Sequence, residues 1–274
     1  IIIEESGQIK DQLFDVDRDL LIIPNLAIHM SRSSKDSKAL NPQKDLLPLC
    51  GGDLSKDGFE EMIAKEAGVK KEDILSYDLF LYNRMKGTTL GINEEFVAAP
   101  KLDDLECAYS SIEGMLNAKL SEDYVTMCTV FDNEEVGSGT KQGAGSTFFP
   151  EVLKRISYLS GKNEEEYYMA VADSFMLSAD NAHAVHPNYQ DKTDPTNRPY
   201  INEGIVLKYN ASQKYTTDAN SAALVKYLCK KEKINCQVFF NRSDMLGGST
   251  LGNILTGQVS IKAADIGLPQ SVSY

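Results

Sequence analysis

From Gly91 onward, short apolar runs rich in β-branched and aromatic residues alternate with amphipathic stretches of helical spacing. This alternation constrains the fold more than any other feature of the chain. A sheet fed by strand–helix units is covered by those helices, so the pattern predicts an α/β layered domain. Helices are expected over Asp104–Ala118, Gly143–Leu159, Glu164–Ser174 and Ala219–Lys231, and strands over Tyr124–Phe131, Gly204–Tyr209, Gln237–Phe240 and Val259–Ile266. Before Gly91 the chain reads differently. Ile1–Ile3, Gln12–Val16, Leu20–Ile23 and Tyr77–Asn83 are candidate strands. Asn25–Arg32 follows Pro24, Lys35–Lys44 reads as a polar loop and Cys50–Asp53 as a turn. Phe59–Ala67 has helical spacing, with Gly68 placed to cap its end. The expected organisation is a β-rich domain over residues 1–92 and an α/β domain over 93–274.

Charge narrows the function classes. The 274 residues carry a formal net charge of -12, the wrong sign for a protein that displaces counterions from nucleic-acid phosphates or docks on anionic membranes. No apolar run approaches transmembrane length. The five cysteines form no C-x-x-C pair, which points to reduced thiols and a cytoplasmic setting.

Four segments could carry chemistry. In Phe131-Asp132-Asn133-Glu134-Glu135-Val136-Gly137-Ser138, an apolar run ends in adjacent carboxylates. Ligands in open α/β sheets bind beyond the carboxyl ends of strands. One carboxylate could hold a metal while its neighbour takes a proton from water. Taken alone, a solvated acidic turn is the simpler account. Ser178–Tyr189 holds Asp180 and two of the three histidines, His183 and His186. A metal site and a hydrogen-bonded polar loop both fit. Asp103 and Asp104 precede a helix, where either makes an ordinary N-cap. Gly247-Gly248-Ser249-Thr250 would let backbone approach a ligand closely, but lacks the lysine of a phosphate-binding loop.

In this order, the segments resemble the M18 metallopeptidases, the aspartyl aminopeptidase and aminopeptidase I type. The resemblance rests on LAIHMSR at Leu26–Arg32, PKLDDL at Pro100–Leu105, FDNEEVGS at Phe131–Ser138, SADNAHAVHPNY at Ser178–Tyr189, GGSTLGNI at Gly247–Ile254 and DIGLPQ at Asp265–Gln270. LPLCGGDL and LFLYNR look nearest to bacterial aminopeptidase I-type members. The resemblance implies a mixed-sheet di-metal exopeptidase domain with a second, β-rich dimerisation domain. It implies two divalent ions, zinc first, with cobalt or manganese as alternatives. Asp103 would bridge them, Glu135 and Asp180 would each ligate one, and Glu134 would be the general base. The Asp103–Asp104 peptide would be cis. His29 would reach a partner subunit's site, in a homo-oligomer that family members build as a dodecamer from dimers. His183, Gly247 and Gly248 would line the substrate site, while His186 would be structural. Lys208 matches the position that meets an acidic substrate side chain in aspartate-preferring members; a strand-end surface lysine is the alternative. The family's two histidine ligands, in HTDSPR-like and MHS-like motifs, have no counterpart here, which leads us to expect further residues in the full protein. The implied activity is removal of N-terminal residues from peptides. Two alternatives use the same residues: a non-catalytic M18-like assembly protein, and a deacylase or endo-acting peptidase of a related di-metal family.

Overall fold

A computed structural model of the chain describes residues 1–27, 29, 40–52, 58–245 and 247–271. It divides into two compact units, Ile1–Gly87 and Thr88–Tyr274, so the expected boundary near residue 92 falls just inside the second.

In the first unit, β1 (Ile2–Glu5) sits between β2 (Gln8–Asp11) and β3 (Ile74–Ser76), antiparallel to both. Ser6 and Gly7, both at positive φ, form the two-residue turn that joins β1 to β2. The ladder runs from that turn to the Ile2–Asp11 pair and stops, and the strand expected over Gln12–Val16 does not form; Leu13 there is 97% exposed. Helix α1 spans Phe59–Ala67, as its spacing predicts, and Gly68 closes it at φ +69 with its N–H on Ala64 and Lys65 carbonyls. Ile63 and Ala67 of α1 pack on Ile3 of the central strand and on Ile1 just before it. Residues 20–23 contribute only a bridge, Ile22 to Leu49. Tyr77–Asn83 joins no ladder among the described residues; Tyr82 instead donates to Asp15, and Arg84 pairs with Asp17 and Asp19. Of Asn25–Arg32 and Lys35–Lys44 about half lies outside the described residues, and of Cys50–Asp53 only Asp53. The polar segment ends not as loop but in a single helical turn, Pro42–Asp45, capped by Asn41, whose side chain accepts Gln43 N–H.

The second unit opens with a hairpin of β4 (Thr88–Leu90) and β5 (Phe96–Ala98), followed by α2 (Leu102–Leu116). Helices α3 (Phe148–Leu159) and α4 (Glu164–Asp173) lead into β6 (Phe175–Ala179), and a short β7 (Ala182–His183) follows. Then come β8 (Ile205–Tyr209), α5 (Ala219–Glu232), β9 (Cys236–Phe240), α6 (Leu251–Gln258), β10 (Lys262–Gly267) and β11 (Pro269–Gln270). The main sheet has the order β6-β10-β8-β9, with β10 parallel to β6 and antiparallel to β8. It is a mixed sheet in an α/β fold.

Local signals account for several ends. Asn163 and Glu166 close a reciprocal capping box at the start of α4, and Asp218 with Ser221 does the same for α5. Helix α3 begins at Phe148 rather than Gly143, because Gly143 and Gly145 belong to a turn tied to Ser138. Strand β8 alternates strictly. Leu207, with Ile205 and Tyr209 beside it, packs with Ala222, Val225 and Cys229 of α5, while Val206 faces Ala182, Tyr215 and Phe239. Two expectations fail here. Tyr124–Phe131 pairs with no strand among the described residues. The apolar stripe of α2 is also largely exposed: Leu105 is 60% and Leu116 69% exposed, while Cys107 is the helix's buried residue.

Candidate metal centre

Asp180 and Asn181 leave the sheet at the carboxyl end of β6, where β10 pairs beside it. Asp103 and Asp104 arrive at the first turn of α2. Both have non-helical dihedrals and form a kink inside the first turn of α2, which opens at Lys101 with φ +62, and the Asp103–Asp104 peptide is cis. One carboxylate oxygen from each of Asp103, Asp104 and Asp180 lies within 4.8 Å of the others.

Glu134 and Glu135 come from the turn after Phe131. Asn133 takes a positive φ of 63°, its side chain donates to Thr140 at 3.2 Å, and Asp132 N–H donates to the Gln142 carbonyl at 3.2 Å. The turn needs glycine at 143, where a Cβ would overlap the Ser138 carbonyl, and Gly145 N–H donates to that same carbonyl at 2.9 Å. Glu134 and Glu135 thus sit on a compact turn rather than on an extended strand end. Both line one pocket with Asp103, Asp180, Asn181, His183 and Lys208.

Electrostatics mark this pocket as a concentration of negative charge. Burial, followed by the Asp180 and Asp103 carboxylates, pushes Asp104 up to about 7 against the opposing Cys107 thiol and Lys208. Partial burial and then Asp180, Glu135 and Asp103 raise Glu134 above the usual carboxylate range. Asp104 Oδ1 is buried without a hydrogen-bond partner, an arrangement that costs free energy unless a cation or proton compensates. An oxygen-rich trio with an orphaned carboxylate oxygen fits a divalent cation, and carboxylates are among the ligands zinc accepts. Gln270 Nε2 donates to Asp103 Oδ2 at 2.5 Å and fixes that carboxylate from β11.

The remaining predicted residues separate. His183 borders the carboxylate pocket, its ring edge-on to Phe239 at 6.3 Å. Gly248 borders it too, while Gly247 lines an adjoining cavity of about 270 Å³ and accepts from Lys214 at 2.8 Å through its carbonyl. His186 packs on Tyr189 and accepts Asn188 N–H at 3.1 Å through Nδ1. His29 is exposed in the first unit; a contact across subunits is a property of an assembly, not of one chain. Lys208 is not a surface lysine. It is 2% exposed, and its ammonium donates to Asp180 O at 2.8 Å, Asn181 O at 3.0 Å and Asp180 Oδ2 at 3.1 Å.

Two residues enter the site that motif reading left out of it. Asp104 joins the carboxylate trio, and only its adjacency to Asp103 could have signalled that. Asn181 is held on its far side by α2: its amide donates to Glu106 at 3.0 Å and its Oδ1 accepts the Cys107 thiol at 3.4 Å.

Comparison with known proteins identifies the family. The family described as "Aminopeptidase I zinc metalloprotease (M18)" matches residues 1–272. A Clostridium acetobutylicum protein named "Probable M18 family aminopeptidase 2" is 45% identical over 266 residues, covering 95% of this chain and 61% of that one. The cryo-EM structure of the Ape4 and Nbr1 complex superposes with a TM-score of 0.86 at 33% identity, over 98% of this chain and 56% of that one. The S. cerevisiae mApe1 dodecamer gives a TM-score of 0.77 at 26% identity, over 98% of this chain and 61% of that one. The chain therefore spans about three fifths of the length of the relatives it matches.

Proposed function

The chain belongs to the M18 family of aminopeptidase I zinc metalloproteases, and from that membership we propose that the full protein is a two-metal aminopeptidase that removes N-terminal residues from peptides. The observation that carries the reading is the convergence of Asp103, Glu134, Glu135 and Asp180 on one pocket from three separate chain segments. Carboxylates gathered so closely repel one another, and a bound dication is the compensation that the chemistry of the donors favours.

In this reading Asp103, Glu135 and Asp180 would hold the two ions, with Asp104 close behind them. The ions, zinc or in its place cobalt or manganese, supply Lewis-acid polarisation of the scissile carbonyl and acidify the attacking water. Glu134 takes the proton from that water and returns it to the departing amine. Its partial burial, which raises its proton affinity, suits a group that must both accept and donate a proton. Gly248, with open space where a Cβ would stand, lets substrate backbone approach closely, while Gly247 packs against the Asn241 side chain. The adjoining cavity, floored by Phe239, Phe240 and Met245 and flanked by His183, is sized for a substrate side chain.

His29, contributed by a partner subunit, would contact the substrate. We accordingly propose a homo-oligomer assembled from dimers through the first unit, on the dodecameric plan named for mApe1. No helix among the described residues is long and apolar enough to cross a membrane. We place the enzyme in the cytoplasm, in line with its reduced cysteines.

Glu134→Gln in the full-length protein tests the mechanism. With a panel of aminoacyl-p-nitroanilides and zinc, cobalt or manganese supplied, kcat should fall by about 10²–10⁴-fold while metal content stays at the parent level. Turnover kept at the parent rate would remove Glu134 from the role of base.

A further inference from the structure

Asp265, inside β10, is 0% exposed, and a carboxylate sealed from water needs donors of its own. They reach it from two segments. Oδ1 accepts the Thr250 hydroxyl at 2.6 Å, and Oδ2 accepts the Thr216 hydroxyl at 2.9 Å together with the Thr216 N–H. The Asp265 N–H donates in turn to the Thr217 hydroxyl at 2.9 Å. The ladder between β10 and β8 covers Ile266 and Gly267, so the segment that follows β8 takes hold of β10 where that ladder stops. Thr250 stands at the N-cap of α6, yet its side chain caps no helix N–H and turns to Asp265 instead. Helix α6 meets the sheet so closely that a Cβ on Gly252 would come within 2.8 Å of both Asp265 Oδ1 and Ser178 Cβ. Both threonine segments border the carboxylate pocket, the first through Tyr215 and the second through Gly248, Ser249 and Thr250. They are also tied to each other: Lys214 donates to the Gly247 carbonyl at 2.8 Å, and the Asn253 amide to the Gln213 carbonyl at 2.6 Å.

We propose that Asp265 is a positioning residue: one buried carboxylate pins the segment around Thr216 and the Gly247–Thr250 turn to β10, so that these two walls of the site keep their spacing as a single body. Asp265 itself lines neither the pocket nor the adjoining cavity, so it acts through Thr216 and Thr250. Each wall supplies donors to one oxygen. Removing either donor leaves a charged oxygen buried and unsatisfied, and the rotation or water entry that relieves it disturbs the bonds to the other wall as well. Metal binding draws on other segments, those of Asp103, Glu135 and Asp180. The pin therefore governs how well substrate is held rather than how well metal is held, and this consequence rests on the peptidase reading.

The test uses full-length protein carrying Thr250→Val, which keeps the shape and removes the donor, Thr250→Ser, which keeps the donor, or Asp265→Asn. Amide hydrogen exchange is followed over residues 210–217, 247–253 and 132–147, zinc affinity by titration of the metal-free protein, and kcat and KM with aminoacyl-p-nitroanilides below each variant's thermal midpoint. Thr250→Val should speed exchange roughly 10-fold in both 210–217 and 247–253, while 132–147 exchanges as in the parent. KM should rise by a larger factor than kcat falls, at parent zinc affinity. Thr250→Ser should recover most of the lost protection and of the KM. Asp265→Asn should do at least as much as Thr250→Val; if it does not fold, the threonine variants decide. Faster exchange in only one of the two segments, or equally in all three, would overturn the proposal. So would parent KM with both walls loosened, a parallel loss of zinc affinity, or no rescue by serine. If the peptidase reading itself fails, the parent protein turns over no substrate, and the exchange measurements still decide whether Asp265 joins the two walls.

Discussion

Asp104 shows how much one side chain can be changed by its surroundings. In an ordinary N-cap it would be a solvated carboxylate; here burial and two neighbouring carboxylates lift it to about 7. A carboxyl whose proton affinity is higher in the folded state holds its proton in the fold after the unfolded chain has released it. Folding stability is then greatest below about pH 4, the ordinary carboxylate range, and is lost as pH rises through the folded-state value near 7. Metal-free protein should therefore show a thermal midpoint that declines from pH 4 to 7, with roughly one proton linked to unfolding across that window. Asp104→Asn should flatten the decline, and a saturating divalent cation should reverse it by stabilising the ionised form. An unchanged slope in Asp104→Asn would assign the linked proton to another group.

At the scale of elements, the turn over residues 132–147 matters most, because it carries Glu134 and Glu135 without a strand or helix to hold them. Its rigidity comes from close backbone approach. Gly143 sits against the Ser138 carbonyl with no room for a Cβ, whereas Gly139 has open space around it. Gly143→Ala should destabilise the fold by about 1–3 kcal/mol through overpacking and reduce turnover with it. Gly139→Ala should change stability by no more than about 0.5 kcal/mol. Urea unfolding midpoints and kcat for the two variants make the comparison, and equal effects would mean that the contact with Ser138 does not hold the turn. Elements with local signals were readable in advance. α1 with its Gly68 cap, α4 with Asn163 and Glu166, and α5 behind Asp218 all fall within a residue or so of the ends their sequence predicts. Segments chosen for β-rich composition alone, such as Tyr77–Asn83 and Tyr124–Phe131, do not form ladders among the described residues, because a strand exists only when another backbone lies beside it.

Across the whole molecule, large apolar side chains stand open in both units. Leu13 is 97% and Phe80 84% exposed in the first, and Ile92 98% and Leu120 92% in the second. Exposure on this scale marks surfaces that other protein covers, either the remainder of the full-length chain, of which this one spans about three fifths by its relatives, or a partner subunit. Native mass spectrometry of the full-length protein should find a multimer, and Phe80→Asp should shift it to smaller species while metal bound per subunit stays constant. A parent protein that is monomeric at micromolar concentration and fully active would rule out the proposed contribution of His29 from a partner.

The sequence by itself determined the layered α/β fold and the family, and it nominated Asp103, Glu134, Glu135 and Asp180 as candidates, because periodicity, caps and ordered motifs are properties of neighbours along the chain. Tertiary structure alone decided what those groups meet. Lys208 finds Asp180 across 28 residues, and Gln270 finds Asp103 across 167. Burial, orphaned oxygens and displaced proton affinities depend on such distant partners, so a lysine at a strand end can prove buried under a turn, and an aspartate at a helix start can prove to be a buried acid in a carboxylate cluster.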